Sequence, residues 1–172
     1  MLMDFKELDD VREFMLEELD WSIEKDKVYY SAVFVPGVEN DYLSLLRQAI
    51  SEHDEEWLEQ RLTEEYFKNT QERKTKKGVT QANVNKQDAA KRLAQNEFNK
   101  FYIRGVCRKA LNHSNENVKI YRAKESSVKR EESQKQIGEY VNANNLLENL
   151  RNEVEIDLPK IYSGLSVQTI EE

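Results

Sequence analysis

Backbone punctuation is scarce in this sequence. Five glycines and two prolines among 172 residues allow few turns of special geometry. That disfavours an all-β fold, with its many tight reversals, and favours helices joined by ordinary loops. Cysteine is scarcer still. Cys107 stands alone, so no internal disulfide can form, and a reducing compartment suits the chain. No apolar run approaches the roughly 18 residues that a membrane-spanning helix needs. The opening "MLMDFKELDD" is acidic and lacks the basic start and apolar core of a signal peptide. The expectation is an intracellular protein without a membrane partner.

Signatures of chemistry are missing as well. The two histidines, His53 and His113, lie far apart among polar residues, and no Cys-x-x-Cys or His-x-x-x-His spacing offers metal ligands. Gly78 follows "RKTKK" without the spacing of a phosphate-binding loop, and no Gly-x-Ser-x-Gly elbow occurs. Cys107 has Arg104 and Arg108 nearby in sequence. Its apolar neighbours read as a helix core, where a thiol is inert. "EIDLPK" has an acid-plus-lysine look that a highly charged chain produces by chance. No enzyme, metal or cofactor is expected.

Charge is what the sequence does have, and it is divided unevenly. Residues 1–67 carry 6 Lys/Arg against 19 Asp/Glu; residues 68–125 carry 15 against 5; residues 126–172 carry 5 against 9. A basic middle is thus set inside a chain of net charge -7.

Periodicity places the elements. Phe5, Leu8, Val11, Met15 and Leu19 recur at helical spacing, with Asp4 a candidate N-cap and Glu7 its capping-box partner. "VYYSAVFVP" (28–36) reads as a strand, or as a buried extended arm. Two short helices follow. Asn40 or Asp41 would cap the first, whose stripe is Leu43, Leu46 and Ile50. Trp57, Leu58, Leu62, Tyr66 and Phe67 line the second, and "SEHDE" joins them. Residues 69–87 lose all periodicity and read as a flexible basic arm, mobile alone or ordered on a partner. A strong helix begins near Asp88 and ends at Asn112. Its second half is apolar nearly all round, so it should run through the middle of the fold or of an interface. "VKIYRAK" (118–124) reads as a short strand, "ESSVKREESQKQIGEY" as loose helix or loop, and "NANNLLENLRNEV" as a helix capped by Asn142. Pro159 ends that region, and "KIYSGLSVQTI" is a last strand. The fold class is α+β, mostly helical. One domain over 1–172 is expected, with an acidic helical part (1–67), the arm (69–87) and a helix with short strands (88–172).

The basic segment carries the functional reading. Arg73, Lys74, Lys76 and Lys77 crowd the arm, and Lys100, Arg104 and Arg108 recur every four residues along one side of the helix, with Phe101 and Tyr102 interleaved. One use is contact with phosphate backbone. The net negative field opposes that, and no base-reading motif is present. The other use is protein–protein packing, within the chain or between copies. The cations would meet Glu-rich faces such as Glu55, Glu56, Glu59 and Glu64, and Phe98, Phe101, Tyr102, Ile103 and Val106 would supply apolar contact or the core beneath it. This reading is preferred because the complementary charge is already in the chain.

"NEFNKFYIRGVCRKAL", "VKIYRAK" and "SGLSV" together resemble uncharacterised structural proteins of tailed bacteriophages. The resemblance covers roughly residues 88–167 and rests on Asn96, Glu97, Phe98, Asn99, Tyr102, Arg104, Gly105 and the run Gly164-Leu165-Ser166-Val167. It implies a non-enzymatic virion or assembly component whose partners are copies of itself or other assembly subunits. A nucleic-acid-binding accessory protein is the first alternative. An inhibitor of a host enzyme by acidic mimicry is the second.

Overall fold

The computed structural model describes residues 3–125, 131–152 and 164–170. The fold is α+β and mostly helical, as expected, with two small sheets. Within it the chain gathers into two compact units, residues 1–29 with 96–172 and residues 30–95.

The first unit is built on two long helices. Helix α1 spans Leu8–Glu24 and helix α4 spans Lys86–Asn112, of which residues 96–112 lie in this unit. Val11, Met15 and Leu19 of α1 are fully buried, as their spacing requires. The capping expectation fails. The helix starts after Glu7, which makes no side-chain cap. Its carboxylate instead accepts from Lys109 Nζ (2.8 Å) and from the Thr169 backbone N–H (2.8 Å). Tertiary partners outcompete the local cap. Asp4 joins a strand-like contact, its N–H donating to the Ala123 carbonyl at 2.7 Å.

The apolar half of α4 lies in the middle of its unit. Phe98, Phe101, Tyr102, Ile103, Val106 and Cys107 are all buried. Gly105 lets α1 come close. A Cβ there would stand 2.8 Å from Met15 Cγ and 3.2 Å from both Val11 Cβ and the Val11 carbonyl oxygen. Phe5 caps this packing, its ring 4.7 Å from that of Tyr102 and 5.2 Å from that of Phe98.

Strands β3 (Asn117–Arg122), β4 (Tyr140–Asn142) and β5 (Leu165–Thr169) form an antiparallel sheet in the order β4-β3-β5. Both faces of β3 are covered, since Val118, Ile120, Tyr121 and Ala123 are buried, which explains why its alternation is partial. Asn99 Nδ2 donates to the Leu165 carbonyl at 2.8 Å and so plugs part of the outer edge of β5. Helix α5 spans Glu131–Gln136 and helix α6 spans Ala143–Asn152. Asn142 caps α6 as expected, accepting from the Asn145 N–H at 2.9 Å. The expectations for Pro159, "EIDLPK" and the start of the last strand lie outside the described residues.

The second unit holds α2 (Glu39–Glu52), α3 (Glu55–Arg61), a 3-10 turn (Glu64–Tyr66), strands β1 (Thr70–Thr75) and β2 (Gly78–Asn83), and the first turns of α4. Neither Asn40 nor Asp41 caps α2, which begins earlier, at Glu39. Asp54 in the joint caps α3, accepting from the Trp57 N–H at 2.9 Å. His53 stacks on Trp57 with centroids 4.3 Å apart. Residues 28–36 are neither a strand nor a buried extended arm. They make a single bridge, Phe34 to Phe67, turn at Ala32-Val33, and bury only Val28 and Phe34. The Phe34 ring sits against Tyr42 and Phe67 at 5.2 and 5.5 Å.

The largest correction falls on the expected flexible arm. Residues 70–83 form a β-hairpin, with Thr70 opposite Asn83 and Thr75 opposite Gly78. Gly78 takes φ +125° just after the Lys76-Lys77 turn, a conformation open to glycine. Its base is tied down: Val84 N–H donates to the Asn69 carbonyl at 2.9 Å, Lys86 Nζ to Asn69 Oδ1 at 2.7 Å, and Asn85 Oδ1 accepts from the Asp88 N–H at the start of α4. Both faces of the hairpin are open to solvent, so no alternation of apolar and polar residues marks it in the sequence.

Candidate interaction surface

The basic row of α4 points inward. Glu18 of α1 is fully buried, on the same stripe as Val11, Met15 and Ser22. Three guanidiniums close on it. Arg104 Nε donates to Oε1 at 3.0 Å, and Arg104 Nη2 to the Glu18 backbone carbonyl at 2.9 Å. Arg108 Nη1 donates to Oε2 at 2.8 Å. Arg151 of α6 adds a two-pronged contact, at 2.8 Å to Oε1 and 2.7 Å to Oε2. The Trp21 ring lies 5.7 Å from Arg104 Cζ and 5.2 Å from Arg151 Cζ, and Phe101 lies 4.8 Å from Arg104 Cζ. These are distances at which the ring faces stabilise the cations.

Burial by itself would raise the Glu18 carboxyl. Hydrogen bonds from Arg151 and Arg108 and the charge of Arg104 outweigh it and hold the group below the usual carboxylate range. Burial likewise lowers Arg104 against the opposing pull of Glu18. Nothing is left over for an outside anion. Glu17 takes Arg108 at 2.6 Å and Glu148 takes Arg151 at 3.3 Å, so three carboxylates answer three guanidiniums.

Lys100 is also internal. Its Nζ lies 3.0 and 2.9 Å from the two carboxylate oxygens of Glu97, and both side chains are buried. Burial raises the Glu97 carboxyl despite Lys100 beside it. Burial raises the Tyr102 hydroxyl and the Cys107 thiol too, which leaves Cys107 without thiolate character. Lys100, Arg104 and Arg108 were expected on an interaction face, with Phe101 and Tyr102 as its apolar contact or as the core beneath it. The structure places Lys100, Phe101, Tyr102 and Arg104 in the core and Arg108 in an intramolecular pair. The reason is that α1 supplies Glu17 and Glu18 opposite Arg104 and Arg108, and α4 itself supplies Glu97 beside Lys100, so acids and bases pair within the chain.

Glu55 is the second correction. It is buried, 3% exposed, and cannot belong to an open acidic face. Glu56 and Glu64 are exposed and Glu59 is half-buried.

No protein family, curated protein or solved structure matches this chain.

What remains accessible is the hairpin. Every residue of β1 and β2 but Ala82 is exposed, including Arg73 and Lys74, and Lys76 and Lys77 form its tip. Among the described residues none of these four cations makes an ion pair. Val79 is 59% exposed, one of the few large apolar side chains left in solvent. Sequence reasoning found the four cations but missed the strands that present them. The available signal was Gly78 lying between two polar β-compatible runs, one containing Thr70 and Thr75 and the other Val79 and Thr80.

The described residues contain no group of three or more His, Cys, Asp or Glu that would hold a metal ion. Among them no helix is long and apolar enough to cross a membrane.

Proposed function

We propose that the chain is a non-enzymatic structural or assembly protein that works by packing against other subunits, above all copies of itself. The observation that carries this reading is the hairpin, an exposed two-stranded element with four unpaired cations, whereas Lys100, Arg104 and Arg108 of α4 are satisfied internally. An isolated two-stranded hairpin gains little stability in water, so a fully exposed one is suited to finding its stabilising contacts on a partner. Glu56, Glu59 and Glu64 offer a neighbouring copy's cations a counter-charge, which orients and speeds encounter. The resemblance to tailed-phage structural proteins agrees with this role, and a virion or head-connector accessory component is its most specific form. The residues that carry it include Asn99, Arg104 and Gly105, all engaged in core packing.

The nucleic-acid alternative loses three of its seven cations, because Lys100, Arg104 and Arg108 are not available to phosphate. Mass determination by sedimentation across a concentration series decides between them. The wild-type chain is expected to associate, and the triple variant Lys74→Glu/Lys76→Glu/Lys77→Glu to shift that association at least tenfold to higher concentration. A wild-type chain that stays monomeric yet binds duplex DNA, with affinity falling steeply as salt rises, would replace subunit packing with nucleic-acid binding.

A further inference from the structure

We infer that the outer edge of β2 (Gly78–Asn83) pairs antiparallel with the same strand of a second copy, joining two hairpins into one four-stranded sheet. This rests on the assembly reading above and adds a backbone contact beside the one between cations and carboxylates.

The hairpin register fixes which backbone groups are free. Antiparallel ladders alternate between pairs that exchange hydrogen bonds and pairs that do not. Val84 N–H bonds to the Asn69 carbonyl, so residues 69 and 84 are a bonded pair. By alternation Gln71–Ala82, Arg73–Thr80 and Thr75–Gly78 are bonded too. The N–H and C=O groups of Thr70, Glu72 and Lys74 therefore point away from the hairpin on the β1 side, and those of Val79, Gln81 and Asn83 on the β2 side. Such rows are templates for another strand unless something guards them.

Only one edge is guarded. A contact between identical strands across a two-fold axis sets each residue opposite a self-chosen partner. The strand β1 carries three consecutive charged residues, Glu72, Arg73 and Lys74, the kind of side chain that blunts a sheet edge. Its two fullest registers set Glu72 opposite Glu72 on the axis, or Arg73 opposite Arg73 with Glu72 opposite Lys74 on either side. Like charges directly opposed destabilise a sheet. The strand β2 has no charged residue and no proline along its whole length. With Gln81 on the two-fold axis, Val79 meets Asn83 and Thr80 meets Ala82. Every outward N–H and C=O of the strand then finds a partner, and the two Gln81 side chains lie side by side on one face. The Lys76-Lys77 tips are carried to opposite ends of the sheet, roughly 30 Å apart at about 3.4 Å per residue. That exceeds the screening length of about 8 Å at physiological salt, so the tips do not repel each other appreciably.

Charge swapping at Gln81 tests this pairing. Gln81→Lys and Gln81→Glu are each expected to weaken self-association at least tenfold, read by sedimentation. An equimolar mixture of the two is expected to restore it, because opposite charges then meet across the axis. Gln81→Cys is expected to crosslink two chains on mild oxidation, while Gln71→Cys on the guarded strand leaves them separate. If the wild type associates and the Gln81 variants associate equally well, alone or mixed, edge pairing is wrong and the assembly reading survives. If the wild type is monomeric at every concentration, both fall. Both Gln81 substitutions sit at an exposed position whose N–H makes no hydrogen bond within the hairpin, so unchanged circular dichroism is expected of them.

Discussion

Replacing Glu18 with alanine is expected to cost about 3–5 kcal/mol of folding stability, the usual penalty for breaking a buried ion pair from one side. The loss comes from what remains. Arg104 is 1% exposed and would keep its charge with no carboxylate hydrogen-bonded to its Nε. Arg108 and Arg151 can swing partly toward water, since their side chains are 28% and 18% exposed, so the damage centres on Arg104. Glu17→Ala is the matched control. That carboxylate is 59% exposed, and exposed pairs contribute about 0–1 kcal/mol. Adding Arg104→Met to Glu18→Ala is expected to recover part of the loss, because the stranded cation goes with it.

The same centre makes stability depend on acid. Glu18 titrates below its ordinary value in the folded chain. Its contribution is therefore whole above the unfolded carboxylate value, about 4.3, and drains away as pH falls through that value toward the lower folded one. Glu18→Gln is expected to flatten that acid limb in urea titrations at graded pH. An acid limb of unchanged steepness would mean that another carboxylate dominates it.

Substituting Gly105 is expected to have the next largest effect. Alanine would gain up to about 1 kcal/mol in helix propensity over glycine. Overpacking costs about 1–3 kcal/mol, and the Val11 carbonyl oxygen, being backbone, cannot move aside as a side chain does. The net for Gly105→Ala is a modest loss. Gly105→Leu is expected to lose about 3 kcal/mol or more, because its further carbons enter the same space between α1 and α4. Thermal unfolding of the two variants checks the order. A Gly105→Leu chain as stable as wild type would show that α1 does not lie where the geometry puts it.

Where one side of an element is dry and the other wet, this sequence could be read. The stripe Val11, Met15, Leu19 and the circumferential apolar half of α4 placed both helices, and Asn142 announced α6. The failures share a cause. Glu18 follows Met15 by three residues, on the buried stripe, yet among so many carboxylates it looked like one more solvated acid. Its burial depends on three arginines from 86 to 133 residues away, and a one-dimensional pattern does not carry that separation. The row Lys100, Arg104, Arg108 was seen correctly as a row, but periodicity gives the angle of a helix face and not what stands opposite it. The hairpin failed in the reverse way. With neither face buried, β1 and β2 show no alternation, and Lys76-Lys77 is not one of the residue pairs that mark tight hairpin turns.

The central claim is that the cations of the α4 row, Lys100, Arg104 and Arg108, are spent inside the chain, while the hairpin is where one chain meets the next. Amide hydrogen exchange at Val79, Gln81 and Asn83, followed over a range of protein concentrations, tests it most directly. Their N–H groups face outward from the hairpin. Slow exchange is expected to set in as concentration rises, in step with the increase in sedimenting mass, while the neighbouring amides at Thr80 and Ala82 change far less. Fast exchange at those three amides in a sample whose mass has already doubled would contradict the claim.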